Sequence, residues 1–294
     1  MPSSLAARPV GVFDSGVGGL SVLQALRREL PHEHFVYLAD SGHAPYGERG
    51  DAFVQRRTLA IADFLHRQHG IKALVVACNT ATAAAVEPLR AAMPGLPAIG
   101  VEPALKPAAR SSQTRHVGVL ATRGTVGSGR FDRLRQEHAQ DTRFSVQACD
   151  GLAHAIEQST GEPQSSEAAN ERIRTLCARY TSALGSFGQQ PGEIDTLVLG
   201  CTHYVFAREV LRTLVGPGVQ IIDTGAAVAR QTRRILEQAD ALATGPVAEE
   251  DPATTGRVTL YTTGQLAALQ AAAQRWLDLP AQCCAALPPA EGSL

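Results

Sequence analysis

Two cysteines of this 294-residue chain lie where a largely apolar segment changes to a polar one. Cys78 follows such a run at residues 71–77, and Cys201 follows another at residues 194–200. A run of this kind predicts a buried strand, and the residues after it predict the start of a helix. Unpaired N–H groups and the helix dipole lower the pKa of a thiol at such a point. We therefore predict two reactive thiols, although an isolated cysteine is most often a buried apolar residue.

Polar side chains follow each of the two thiols directly. Asn79 and Thr80 come after the first, and Thr202 and His203 come after the second. A histidine two residues beyond Cys201 suits a thiolate–imidazolium pair of the kind that thiol hydrolases use. The alternative is a histidine at a helix start whose ring is solvated. These residues are the first candidates for proton transfer and for binding a small polar ligand.

The remaining four cysteines are predicted to be structural or incidental. Cys177 falls on an amphipathic helical segment, Cys149 ends a strand, and Cys283 and Cys284 lie near two prolines in the C-terminal tail. Six cysteines are too few for a disulfide scaffold, and none forms a C-x-x-C pair. The histidines form no H-x-x-x-H pair, so we predict no metal site.

The segment DSGVGGLS at residues 14–21 combines an acid, hydroxyls and three glycines. It departs from the dinucleotide-binding pattern G-x-G-x-x-G because Ser21 occupies the position of the last glycine, which argues against a nicotinamide or flavin cofactor. The glycines instead predict a turn that passes close to a small anionic ligand at a helix start. Asp14 is a candidate functional residue, with a simple helix N-cap as the alternative.

Short apolar runs alternate with helix-length amphipathic segments along the chain. The runs lack polar alternation, which is typical of parallel strands covered on both faces. Alternation of strands and helices at this spacing predicts an α/β fold with right-handed crossovers. The predicted strands are residues 10–14, 34–40, 71–79, 96–101, 115–122, 143–149, 194–201, 219–224 and 257–263, and the predicted helices are residues 20–30, 51–70, 80–93, 131–139, 169–184, 226–238 and 264–277.

The two halves of the sequence share a pattern. Residues 75–86 and 197–210 both read as strand, cysteine, polar pair and helix, and residues 12–19 and 221–228 both read as strand, aspartate, hydroxyl, glycine and helix. The chain is also longer than a usual single domain. Parallel sheets bind ligands at the carboxyl ends of their strands. We therefore predict two similar doubly wound parallel-sheet domains with the active site in the cleft between them.

Composition argues against several classes of function. The 27 basic and 28 acidic residues give a net charge of -1, which leaves no basic surface for nucleic acid or an anionic membrane. We find neither a signal peptide nor an apolar stretch of about 18 residues, and we expect a cytoplasmic protein. Only Lys72 and Lys106 are lysines, one at the start of a predicted strand and one in a proline-flanked junction. Pyridoxal phosphate needs a Schiff-base lysine, so we predict no dependence on it.

Six motifs, taken together, closely resemble those of the glutamate racemases. They occur in the order of that family and cover nearly the whole chain. The resemblance implies an isomerase without cofactor or metal that interconverts L- and D-glutamate. It also implies a bacterial enzyme that supplies D-glutamate for peptidoglycan and forms a homodimer. The motifs are DSGVGGLSVL (14–23), YLADSGHAPYG (37–47), ACNTATA (77–83), GVEPALKPA (100–108), LGCTHY (199–204) and YTTG (261–264).

The resemblance also assigns the acid and base residues. It implies that Cys78 and Cys201 act on opposite faces of the α-carbon, one as thiolate and one as thiol. Auxiliary acids and bases fall on Asp14, near Cys78, and on His203, near Cys201. Racemisation needs a base on one face of the α-carbon and an acid on the other, so this assignment agrees with the chemistry.

Further family residues map onto this sequence. A family glutamate corresponds to Glu157, although many members have Cys-Pro where this chain has Cys149–Asp150. The substrate contacts that the resemblance implies are Asp14, Ser15, Tyr46, Gly47, Asn79, Thr80, Thr202 and His203.

We predict a first domain at residues 8–103 plus 223–282, a second domain at 104–222, and disordered tails at 1–7 and 283–294. Three other functions compete with glutamate racemisation. One is an aspartate racemase of the same superfamily. Another is a thiol hydrolase or amidase that uses Cys201 and His203, with Cys78 structural. The last is a protein that binds an amino acid without catalysis.

Overall fold

The computed structural model describes residues 5–160, 166–244 and 258–287. Two parallel β-sheets with helices packed on both faces form an α/β structure, which confirms the predicted fold class. Within these three ranges, no helix is both long enough and apolar enough to cross a membrane.

The first sheet contains six strands, and all its neighbouring strands are parallel. Numbered along the chain, they are β1 (Val10–Asp14), β2 (Phe35–Ala39), β3 (Ala73–Val76), β4 (Ala98–Gly100), β9 (Val258–Thr262) and β10 (Cys284–Ala286). Their spatial order is β10-β9-β2-β1-β3-β4. Since β1 lies between β2 and β3, the residues that follow these three strands meet at the middle of the carboxyl edge.

Helices cover both faces of the first sheet because successive strand residues point to opposite sides. Val10 and Val12 of β1 belong to the core that includes α1, α10 and α11, whereas Phe13 belongs to the core that includes α2 and α3. Helix α2 ends at His69, and Gly70, the predicted end, caps it with a left-handed φ of 59°. The helices are α1 (Leu20–Glu29), α2 (Asp51–His69), α3 (Asn79–Ala92), α10 (Gly225–Gln238) and α11 (Leu266–Leu277).

The second sheet contains four parallel strands in the order β6-β5-β7-β8. One core joins the sheet to α7, α8 and α9, and the other joins it to α4 and α6. The chain leaves the first sheet after β4, forms the second sheet, and returns with α10, which packs against α1. The strands are β5 (His116–Ala121), β6 (Arg143–Ala148), β7 (Thr196–Gly200) and β8 (Gln220–Ile222), and the helices are α4 (Leu105–Ser111), α5 (Arg123–Val126), α6 (Gly129–Gln136), α7 (Leu152–Thr160), α8 (Glu167–Leu184) and α9 (Arg208–Val215).

The structure corrects the predicted tails. Part of the expected C-terminal tail forms β10, which pairs with β9, and Leu287 after it packs into the first sheet's core. Near the N-terminus, Leu5–Ala7 forms a 3-10 helix, and the Ala6 carbonyl accepts a hydrogen bond from Lys72 Nζ at 2.7 Å. Burial of Cys284 and Leu287 and the pairing of β10 with β9 order the C-terminal segment, and the hydrogen bond from Lys72 holds the N-terminal one. Residues 1–4 and 288–294 of the predicted tails lie outside the described part of the chain.

Candidate active site

The carboxyl ends of strands from both sheets surround one cavity. Ten of the eleven residues predicted for the site line this cavity, whereas Asp14 lies fully buried behind it. The lining residues that were predicted are Ser15, Tyr46, Gly47, Cys78, Asn79, Thr80, Glu157, Cys201, Thr202 and His203.

Cys78 lies at the start of α3, two residues beyond the end of β3. Its Sγ accepts a hydrogen bond from the Ala81 N–H at 3.4 Å, and the thiol donates to Ser15 Oγ at 3.6 Å. The expectation of a lowered pKa is wrong for this thiol. Burial and the negative charge of Asp14 raise the pKa of Cys78, and the two hydrogen bonds offset only part of that effect. Cys78 is therefore a protonated thiol in this state.

Cys201 follows β7 and precedes a 3-10 helix, Thr202–Ala207, rather than the predicted α-helix. Its Sγ lies 3.8 Å from His203 Nδ1, and His203 Nε2 lies 2.6 Å from Glu157 Oε2. The His203 ring is buried, which excludes the alternative of a solvated histidine. Glu157 was assigned only from the family resemblance, and the structure places it directly against this ring.

His203 and Glu157 form an ion pair in which the ring is buried and the carboxylate largely so. Burial disfavours the charged imidazolium, but the contacts with Cys201 and Glu157 outweigh it and raise the pKa of His203 well above its ordinary value. Burial likewise opposes ionisation of Glu157, yet hydrogen bonds from His203 and Ser41 lower its pKa. The pair therefore places a cation beside the Cys201 thiol.

Asp14 ends β1 and is not merely a helix N-cap. Its carboxylate accepts hydrogen bonds from the Ser15 N–H at 2.7 Å, from the Gly19 N–H, and from Thr202 Oγ1 at 3.2 Å. Complete burial raises the pKa of Asp14 to about 6, although the positive charge of His203 opposes that change. A carboxyl group with this pKa can both accept and release a proton near neutral pH.

Tyr46 forms part of the cavity wall, but its hydroxyl turns away from the cavity. The hydroxyl donates to Asp40 Oδ2 at 2.5 Å. Asp40 is fully buried and receives two further hydrogen bonds from Arg57, at 2.9 and 2.7 Å, and one from Thr263 Oγ1 at 2.8 Å. Burial and the neighbouring Asp40 charge raise the pKa of Tyr46, so the phenol stays neutral.

Two features of the wall are suited to a polar ligand. Asn79 is 4% exposed and lines the cavity, yet neither its amide oxygen nor its amide nitrogen has a hydrogen-bond partner within the protein. Thr80 Oγ1 lies 2.9 Å from Thr122 Oγ1, so a hydroxyl pair joins residues that follow strands of different sheets. An unpartnered buried amide is costly unless a ligand or water satisfies it.

Several lining residues were not identified from the sequence. Thr122 follows β5, so it occupies the same kind of position as the two cysteines, and that rule alone would have found it. Cys149, predicted to be structural, also lines the cavity, and it is followed by Asp150. At the rim, Arg123 forms an ion pair with Asp150. His154 of α7 lines the same wall.

Neither a lysine nor a metal-binding cluster contributes to this site. No lysine lines the cavity, and Lys72 forms a buried ion pair with Glu33 at 2.6 Å near the start of β3. Among the described residues, no group of three or more histidine, cysteine or acidic side chains is placed to hold a metal ion. The chemistry that this wall offers is proton transfer by thiols, carboxylates and imidazole.

Comparison with known proteins gives a consistent family assignment. Residues 11–232 match the family model of Asp/Glu/Hydantoin racemases. The chain is 50% identical over 238 residues to a glutamate racemase of Pseudomonas syringae pv. tomato, covering 81% of this chain and 82% of that protein.

Solved structures of glutamate racemases also superpose on the fold. One isoform from Bacillus anthracis gives a TM-score of 0.77 at 29% identity, covering 97% of this chain and 98% of that one. The Escherichia coli enzyme, in complex with L-glutamate and an activator, UDP-MurNAc-ala, gives a TM-score of 0.74 at 32% identity, covering 92% and 95%. These comparisons confirm the resemblance that the six motifs indicated. The chain belongs to the Asp/Glu/Hydantoin racemase family.

Proposed function

We propose that this protein interconverts L- and D-glutamate by a two-thiol acid–base mechanism that needs no cofactor. The observation that carries the proposal is the placement of Cys78 and Cys201 on one cavity, with the carboxylate of Asp14 near the first thiol and the imidazolium of His203 beside the second. The glutamate racemases that resemble this chain, one of them solved with L-glutamate, support the choice of substrate.

In one direction, the Cys201 thiolate removes the α-proton and becomes a thiol. The Cys78 thiol then donates its proton to the opposite face of the α-carbon and becomes a thiolate, so the number of protons is unchanged. The reverse direction exchanges these roles. The imidazolium of His203 stabilises the Cys201 thiolate, and Asp14 accepts the proton of Cys78 when that residue must act as the base.

The larger energetic obstacle is the negative charge that develops next to the substrate carboxylate. Hydrogen-bond donors fixed around that carboxylate stabilise such charge because they need no reorganisation during the reaction. The unpartnered amide of Asn79 and the hydroxyl of Thr80 are the donors on the cavity wall that we assign to this role. We further propose that the product D-glutamate is a precursor of peptidoglycan.

Chiral analysis of the products tests the proposal. Wild-type protein incubated with L-glutamate should yield D-glutamate until the two enantiomers are equal, and the reverse reaction should reach the same mixture. Faster conversion of aspartate would reassign the substrate, and release of a cleaved product would indicate a thiol hydrolase. Cys78→Ser and Cys201→Ser should each reduce racemisation by about 100- to 10,000-fold. Full activity in either variant would contradict the two-thiol mechanism.

A further inference from the structure

The turn between β1 and α1 approaches the His203–Glu157 pair more closely than any side chain would allow. A Cβ atom on Gly18 would lie 2.3 Å from His203 Nδ1, and a Cβ atom on Gly16 would lie 2.4 Å from Glu157 Oε2. Ordinary contacts of a Cβ begin near 3.4 Å, so either substitution would displace the ring or the carboxylate by about 1 Å. Only glycine permits this approach.

Hydrogen bonds join the turn to α7 and to the segment that follows β7. The Val17 N–H donates to Glu157 Oε2 at 2.9 Å. Ser21 Oγ donates to the Thr202 carbonyl at 3.2 Å and to the Gly18 carbonyl at 2.8 Å. The turn thus bonds to Glu157 and to the residue immediately before His203.

The two glycines of this turn, Gly16 and Gly18, act on the Cys201 side of the site. His203 lies beside Cys201, whereas the thiol of Cys78 contacts Ser15 of the same turn and the N–H of Ala81. A displacement of His203 by about 1 Å therefore alters the proton transfer of Cys201 first. Misplacement on this scale can cost about 100-fold in rate.

We propose that Gly18, supported by Gly16 and Ser21, is a positioning residue that sets the His203–Glu157 pair against Cys201. The inference rests on the proposed racemisation. The glycine turn then aligns the acid–base group around Cys201, in addition to any contact that it makes with the substrate.

Kinetic isotope effects on the two enantiomers distinguish this role from a structural one. In Gly18→Ala, kcat/KM should fall by about 10- to 100-fold. The primary isotope effect with α-deuterated glutamate should rise for the enantiomer that Cys201 deprotonates, because that step becomes slower. It should fall for the other enantiomer, for which proton delivery by Cys201 becomes limiting.

Three further variants complete the test. Ser15→Ala, on the Cys78 side, should shift the isotope effects in the opposite direction. Gly11→Ala places a Cβ 2.7 Å from Ile71 Cδ1, near the amino ends of β1 and β3 and so at the opposite edge from the thiols. It should leave the ratio of the two isotope effects as in the wild type even where it reduces stability. Ser21→Ala removes only a half-buried hydroxyl and should change the isotope effects in the same directions as Gly18→Ala, but less. This variant tests the positioning role if Gly18→Ala does not fold.

The outcomes separate the two claims. The positioning role would be overturned if active Gly18→Ala or Ser21→Ala protein kept the wild-type ratio of the two isotope effects. It would also be overturned if the two isotope effects changed equally. Wild-type protein that racemises neither enantiomer would instead overturn the proposed function itself.

Discussion

Thr202 Oγ1 donates a hydrogen bond to Asp14 Oδ2 at 3.2 Å, and so links the residue that follows Cys201 to the residue that ends β1. Asp14 therefore contacts both walls of the cavity, because Ser15, which also bonds to it, contacts Cys78. Asp14, the auxiliary acid near Cys78, is thus hydrogen-bonded to Thr202, which follows Cys201. A change in the charge of Asp14 should therefore affect both cysteines.

The first prediction concerns the pH dependence of activity. The pKa of Asp14 is about 6, and Asp14 must be ionised to accept the proton of Cys78. We therefore expect kcat/KM to fall as the pH decreases through about 6, with a limb that Asp14→Asn removes. A pH–rate profile of both proteins checks this, and an unchanged limb in the variant would assign it to another group.

The same raised pKa affects stability. Folding raises the pKa of Asp14 from 3.8 to about 6, so the folded state holds the proton more tightly than the unfolded state. The contribution of Asp14 to the free energy of unfolding therefore decreases as pH rises from about 4 to about 6. Denaturant unfolding should show this decrease in wild-type protein and a smaller one in Asp14→Asn.

The second prediction concerns Glu157. Glu157→Gln keeps the size of the side chain but removes the charge that helps to raise the pKa of His203. We expect the pKa of His203 to fall, as measured by NMR titration of its ring, and racemisation to slow by about 10- to 100-fold. Glu171→Gln, an exposed position on α8, is the matched control and should change neither quantity. A normal rate in Glu157→Gln would remove Glu157 from the mechanism.

Much of the fold follows from the sequence because buried parallel strands leave a clear apolar pattern. The bounds predicted for β1, residues 10–14, agree with the structure. The three-residue strand β10 was missed because so short an edge strand carries no periodic signal. Helix α7 was missed although its buried residues, Leu152, Ala155, Ile156 and Ser159, follow the helical i, i+3, i+4, i+7 spacing, because the helix is only nine residues long.

Some residues of the site could likewise be predicted from the sequence, and others could not. The residues that follow β3 and β7 were predictable because the carboxyl ends of parallel strands converge. The bond between Arg57 and Asp40 was not predicted, because it depends on how α2 packs against the sheet. The raised pKa of Cys78 also escaped the sequence, since burial reverses the effect of the helix start.

The third prediction concerns closure of the cavity by backbone. A Cβ on Gly47 would lie 2.8 Å from the Cβ of Thr122, which follows β5 of the second sheet. Gly47→Ala should therefore separate the two walls and reduce kcat/KM by about 10-fold or more. Gly50→Ala, where a Cβ meets nothing within 4 Å, should have little effect. Equal kinetics for the two variants would show that the walls need not approach at this point.

The fourth prediction concerns Tyr46. Its hydroxyl bonds to Asp40 rather than facing the cavity, so Tyr46→Phe should leave kcat close to the wild-type value and raise KM through a looser wall. Loss of a bond to a charged group should lower the free energy of unfolding by about 1.5–3 kcal/mol. Steady-state kinetics and denaturant unfolding measure the two effects. A collapse of kcat would instead place the hydroxyl in the proton transfer.

The most direct test of two thiols on opposite faces is the fate of the α-hydrogen in D2O. Wild-type protein should convert L-glutamate into D-glutamate that carries deuterium at the α-carbon from the first turnovers, because a different thiol delivers the new hydrogen. The unreacted L-glutamate should still carry its original proton, and proton NMR with chiral separation measures both. If deuterium accumulates in the remaining L-glutamate as fast as in the product, a single base exchanges the α-hydrogen. That result would contradict the mechanism.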